Sequence, residues 1–210
     1  MATRTFTHLY DNHDYALQTV QALESAGVPH SDISLVANNA DNRYGATTAT
    51  GAVPADDTAA ESTGAGTGAS VGTILGGGAG LLAGLGMLAI PGVGPVVAAG
   101  WLVATLTGAG VGAAGGGLLG SLVGAGVPEE HAHTYAESVR RGSTLVTVRG
   151  DDGQASRIEA VLNGRAPAAV DVTTRRMDYQ TEGWTQHETT APAYTAAQVT
   201  AERSRRVRVS

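Results

Sequence analysis

Cysteine is absent from the 210-residue chain, which excludes disulfides, thiolate metal sites and cysteine nucleophiles. Lysine is absent too, so all 13 basic residues are arginine. One Phe and two Trp leave little material for stacking on bases, and a net charge of −6 argues against nucleic acid as a partner. The opening "MATRTFTHLYDNHDYALQTV" has no apolar signal core, so no cleaved secretion signal is expected. The sharpest absence is internal: from Ser62 to Pro128 there is no Asp, Glu, Lys, Arg or His. In soluble domains roughly a quarter of residues are charged, so this block and its flanks are unlike parts.

Before the block, residues 3–10 ("TRTFTHLY") read as a strand, and Asp11 or Asn12 offers a helix N-cap. Ala16, Val20, Leu23 and Gly27 then follow a helical period. Gly27 suits a left-handed cap, with Val28 placed to contact Leu23 as in a Schellman ending. "DISLVAN" is a second strand, so residues 3–38 form the first half of an αβ domain. Residues 39–63, small and polar without a period, read as a flexible linker.

After the block, residues 128–173 read as the second half. A helix follows Pro128, with Glu129 and Glu130 at its positive end, Ala132, Tyr135, Ala136 and Val139 on one face, and Gly142 as its stop. "STLVTVRG" is a strand. A further helix places Ala155, Ile158 and Leu162 inward and stops at Gly164, and "AAVDVT" is a last short strand. The expected fold class is α+β: a split ferredoxin-like βαβ…αβαβ domain interrupted by the block. Residues 174–210 read as a mostly disordered polar tail. Thr195 and Gln198 make a capping box for a short helix over 196–206, ending in the basic Arg203, Arg205, Arg206 and Arg208. Those arginines read as solvated, with an anionic surface as the competing use.

Within the block, small residues fall at every fourth position. Gly64, Gly68, Gly72, Gly76, Gly80 and Gly84 precede "IPGVGP"; Gly100, Ala104, Gly108, Gly112, Gly116, Gly120 and Gly124 follow it. Such stripes let helix backbones approach closely, so residues 64–127 read as a glycine-zipper helical hairpin, turning at 90–95 on Pro91, Gly92, Gly94 and Pro95. Arms of Val71–Ile90 and Val96–Val123 are long enough to span a bilayer, where helical glycine is better tolerated than in water. Membrane association through this hairpin is the leading expectation, with oligomerisation of copies. A soluble module, its hairpin packed on the αβ domain or on other copies, is the alternative.

The flanks "LYDNHDYALQTVQALESAGVPHSDISLVA" and "GVPEEHAHTYAESVRRGSTLVTV" resemble the general stress protein 17M-like domain, the heat-induced stress protein family. "GLGMLAIPGVGPVVAAG" resembles the glycine-rich insertion of its longer members, and "APAYTAAQV" in the tail adds to the match. The resemblance covers residues 4–173 and implies a bacterial or archaeal stress-associated protein without enzyme activity or active-site residues. The expected location is the cytoplasmic membrane with the αβ domain facing the cytoplasm, the alternative being the cytoplasm itself.

No motif points to catalysis or to a cofactor. The GxGxxG matches follow from glycine content, lack a preceding strand and have no "GK[ST]". His131 and His133 are two apart and diverge on a helix, so no metal is expected there. "DNHD" and "NNADN" suit caps and turns better than a calcium loop. Ser143 and Thr144 beside Arg140 and Arg141 are explained by a helix ending into a strand. An enzyme would need a pocket of convergent polar groups between helices and sheet. A buried, hydrogen-bonded carboxylate–histidine pair in it would overturn the non-enzymatic reading. A small-molecule ligand is left open.

Overall fold

The computed structural model describes residues 3–44, 86–107, 117–164 and 169–207. The elements are strand β1 (Thr3–Tyr10), helix α1 (His13–Ser25), a 3-10 turn at His30–Asp32, strands β2 (Ile33–Asn38), β3 (Gly86–Ile90) and β4 (Gly94–Gly100), helices α2 (Trp101–Thr107), α3 (Gly117–Gly124) and α4 (Glu129–Arg140), strand β5 (Thr144–Asp151), and helices α5 (Asp152–Gly164), α6 (Val172–Thr181) and α7 (Ala196–Val207). The fold is α+β around one five-stranded sheet, ordered β1-β5-β2-β4-β3, in which every neighbouring pair is antiparallel. β1 and β2 are therefore parallel to each other, with β5 between them.

Alternation along the strands sends side chains to two cores. On one face α1 (Ala16, Val20, Leu23) and α5 (Ile158, Leu162) cover Leu35, Ala37, Val146 and Val148. On the other, Leu118 and Leu122 of α3 and Ala132, Tyr135, Ala136 and Val139 of α4 cover Leu9, Val36, Val96, Ala98 and Leu145. All six residues of β2 are buried because both its faces are covered.

The helix boundaries follow local chemistry. Asn12 accepts the Asp14 N–H at 2.8 Å, capping α1. At the other end Gly27 takes φ +85°, and Val28 N–H reaches Leu23 O at 3.0 Å, the Schellman ending expected there. Asp151 and Gln154 bond reciprocally at the start of α5. Thr195 and Gln198 do the same at the start of α7, the expected terminal helix.

Three expectations are corrected. Residues 86–100 are not arms of a helical hairpin but the β-hairpin β3–β4. The turn falls where "IPGVGP" places it: Pro91 precedes Gly92 at φ +74°, and Val93 N–H bonds to Ile90 O at 3.1 Å, as a type II turn requires. The arms are strands because β2 has an open edge that β4 fills, and prolines 91 and 95 stop helix on both sides. A helix over Val71–Ile90 is thus excluded at its last five residues, and one over Val96–Val123 at its first five. No described helix is long and apolar enough to cross a membrane.

The last strand is reduced to a single antiparallel bridge, Leu9 to Val170. Asp171, whose carboxylate accepts the Thr174 N–H at 2.8 Å, starts α6 instead. The tail, finally, is ordered over its described residues, 174–207: α6, α7 and the loop between them bury Arg175, Tyr179, His187, Val199, Arg203 and Arg206. Of the expected linker, residues 39–44 are described and 45–63 lie outside the described residues.

Candidate functional site

At one end of the sheet β1 and β2 finish and β5 begins, bringing Asp11, Asn38–Asp41 and Gly142–Ser143 together. Five main-chain or carboxylate oxygens at this end accept from arginines of the tail. Arg203 donates from Nε to Gly142 O at 2.9 Å, from Nη2 to Asn38 O at 2.8 Å and from Nη1 to Asp41 at 2.5 Å. Gly142, at φ +108°, leaves the room: a Cβ there would lie 3.0 Å from both Arg203 Nε and Val199 Cγ1. Arg203 therefore occupies space that only glycine frees.

Beside it, Asp11 accepts from Arg175 at 2.5 Å, from Ser143 Oγ at 2.9 Å and from Arg206 at 3.4 Å. Arg206 also donates to Ser143 Oγ at 2.5 Å and to Tyr179 Oη at 3.1 Å. Tyr179 is 3% exposed, and burial raises its pKa. The guanidinium of Arg141 lies 4.1 Å from its ring centroid, and Trp184 meets it edge-on at 5.6 Å. These groups line or underlie a pocket of about 340 Å³ whose walls include Asp11, Arg175, Asp178, Glu182, Glu202, Arg205 and Arg206. That volume suits a small molecule. Arg175 is 8% exposed, yet its Nε has no partner. An unsatisfied buried donor costs roughly 1–3 kcal/mol.

A second cluster stands on α4. Glu137, 1% exposed, accepts from His187 Nδ1 at 3.1 Å, from Arg141 Nε at 2.7 Å and from Arg140 Nη1 at 3.1 Å. Burial pushes its pKa up. The His187 and Arg141 bonds and the charges of Arg140 and Arg141 outweigh it and bring the carboxyl down to about 2. This is the buried carboxylate–histidine pair that the sequence reading asked about. Glu137 lines a pocket of about 290 Å³ with Arg140 and Trp184, but His187 is not among its walls. A carboxylate held this low, with both oxygens engaged, is a weak base. It ties the α6–α7 loop to α4.

A third pocket, about 430 Å³, lies between β1 and the start of α6, lined by His8, Tyr135 and Asp171 among others. Burial lowers the His8 pKa and, with the charge of Asp171, raises Tyr135 to about 12. His13 stacks on Tyr44 at 4.0 Å and lies 3.3 Å from Thr144 Oγ1; burial lowers it to about 4. Among the described residues no group of acidic or histidine side chains could hold a metal.

The first small-residue stripe lies wholly outside the described residues, and the second lies partly within them. Gly64, Gly68, Gly72, Gly76, Gly80, Gly84, Gly108, Gly112 and Gly116 lie outside them. Ala104 on α2 is exposed, Gly120 on α3 is half-buried, and a Cβ on Gly124 would meet nothing within 4 Å. Gly100 does permit a close main-chain approach, but to a strand: a Cβ there would be 2.0 Å from Ile33 O. Gly92 and Gly94 do likewise for the tail, facing Glu188, Thr189 and Ala193. The end-of-sheet cluster was missed because its arginines, spaced 203 and 206, read as a solvated helix end. The signal in hand was the capping box, which announces a helix but not what it docks against.

No protein family, no curated protein and no solved structure matches the chain.

Proposed function

We propose that this is a non-enzymatic interaction and self-assembly module, stress-associated as its resemblance to the general stress protein 17M-like domain implies, acting in the cytoplasm. One observation carries the reading. The uncharged block contributes β3, β4 and α3 to the sheet and its second core, burying Ile90, Val93, Val96, Leu118 and Leu122. That supports the alternative reading, in which the insertion packs on the αβ domain, although residues 86–100 do so as strands and not as a helical hairpin. Self-assembly draws on β3: among the described residues it is an edge strand, carries no charge or proline against further pairing, and exposes Met87 at 45%.

The finer topology of this reading is ferredoxin-like. β1, α1, β2, β5, α5 and the Val170 bridge supply its six parts, with both helices on one face and Leu9–Val170 in the place of the fourth strand. The β3–β4 hairpin would then be an extension on the β2 edge.

Fractionation with mass determination tests the proposal. Recovery without detergent as a discrete oligomer is the expected result. Retention in carbonate-washed membranes would replace it by the membrane-inserted reading that the uncharged run first suggested, and a stable monomer would remove self-assembly.

A further inference from the structure

Helix α7 is held in the way a bound peptide helix is held. Its buried side chains are Val199, Arg203 and Arg206, at positions i, i+4 and i+7, while Gln198, Thr200, Ala201, Ser204 and Arg205 are exposed. Such a stripe is the anchor pattern by which one helix docks on another protein's groove. Val199 lies against Gly142. The arginines find acceptors far away in the chain: Gly142 O, Asn38 O and Asp41 for Arg203, and Asp11, Ser143 Oγ and Tyr179 Oη for Arg206. The start of α7 needs nothing from the sheet, because Thr195 and Gln198 cap it from within. Its tether is short: Pro192 O accepts from Arg140 Nη2 at 2.8 Å, and only Ala193 and Tyr194 stand between that contact and the cap.

We infer that copies of this chain exchange α7: the helix of one copy sets its Val199, Arg203 and Arg206 on the Asp11, Asn38–Asp41 and Gly142–Ser143 cradle of another, reciprocally. The inference rests on the self-assembly reading and places a contact between copies at the tail as well as at the β3 edge. A second copy is the occupant because each copy carries both halves of a match already made once within the chain. Basic anchors meet carboxylates and carbonyl oxygens, and the bonds made between copies are those made within one. No new complementarity is required; only the chain at 193–195 changes course.

Reversing charges in the full-length chain tests it. Asp41→Arg sets a cation against Arg203 and Arg43, and Arg203→Glu sets an anion against Asp41, so each variant loosens its own α7. Mixed, the two variants satisfy both pairings only by exchange. A tagged Arg203→Glu chain should capture the untagged Asp41→Arg chain about tenfold better than it captures untagged Arg203→Glu chain. The double variant restores the pairing within one chain and should melt above either single variant. Should a single variant not fold, Asp41→Asn and Arg203→Gln are read in the same way with a smaller margin. Equal capture in every pairing would overturn exchange while leaving self-assembly through another surface intact. Absence of capture between the two complementary variants would overturn exchange too, and the fractionation of the unaltered chain then judges self-assembly separately.

Discussion

His187 Nδ1 donates to Glu137 Oε2 across 3.1 Å, with both side chains 1% exposed and fifty residues of chain between them. The bond joins the α6–α7 loop to the middle of the molecule, and Arg141 closes the other side of the same carboxylate. Removing the carboxylate leaves an arginine and a histidine buried without it. Glu137→Ala should therefore cost about 3–5 kcal/mol, read as a lowered midpoint in urea unfolding. Glu137→Gln should be milder, since the amide oxygen still accepts one bond.

Acid should destabilise the protein in two windows. His13 is held neutral by burial, down to about 4 against 6.5 when free, so the unfolded chain binds the extra proton first. Its contribution is complete above about pH 6.5 and declines as pH falls toward 4. Glu137, down to about 2 against 4.5, contributes fully above about pH 4.5 and loses that contribution as pH falls toward 2. Melting temperatures from pH 8 to 2 should fall in both ranges. Glu137→Gln should flatten the lower range and leave the upper one.

Two glycines of the same stripe should respond in opposite ways. At Gly100, φ +90° and a Cβ only 2.0 Å from Ile33 O leave no room, so Gly100→Ala should destabilise by more than about 3 kcal/mol or prevent folding. At the end of α3 a Cβ on Gly124 meets nothing, and Gly124→Ala should be neutral or gain up to about 1 kcal/mol. A tight helical seam through both positions would make both substitutions harmful. Thermal unfolding of the two variants separates the cases.

Arg203→Ala should release the tail. It removes three donors from Asp41, Gly142 O and Asn38 O and leaves Gly142 with an empty neighbour. A loss of about 2–4 kcal/mol is expected, together with earlier proteolysis in the 185–207 region, while Arg205→Ala at an exposed side chain should change little.

Chain chemistry near each residue by itself determined the ends of α1, α4, α5 and α7, the inward faces of those helices, and the bend at Pro91–Gly92. Each depends on caps, periodicity or backbone geometry within a few residues. It also announced that the uncharged block is unlike the rest, since charge is a local property. Tertiary structure alone decided that residues 86–100 are strands. An uncharged run of small and branched residues suits a buried helix or a doubly covered strand equally, and the choice came from the open edge of β2. It alone turned Arg203 and Arg206 from a helix end into anchors, because the oxygens they satisfy come from three separate stretches, around Asp11, Asn38 and Gly142. The same holds for Glu137 and His187: a buried charge is stable only where distant donors meet it, and no spacing in one dimension records that meeting.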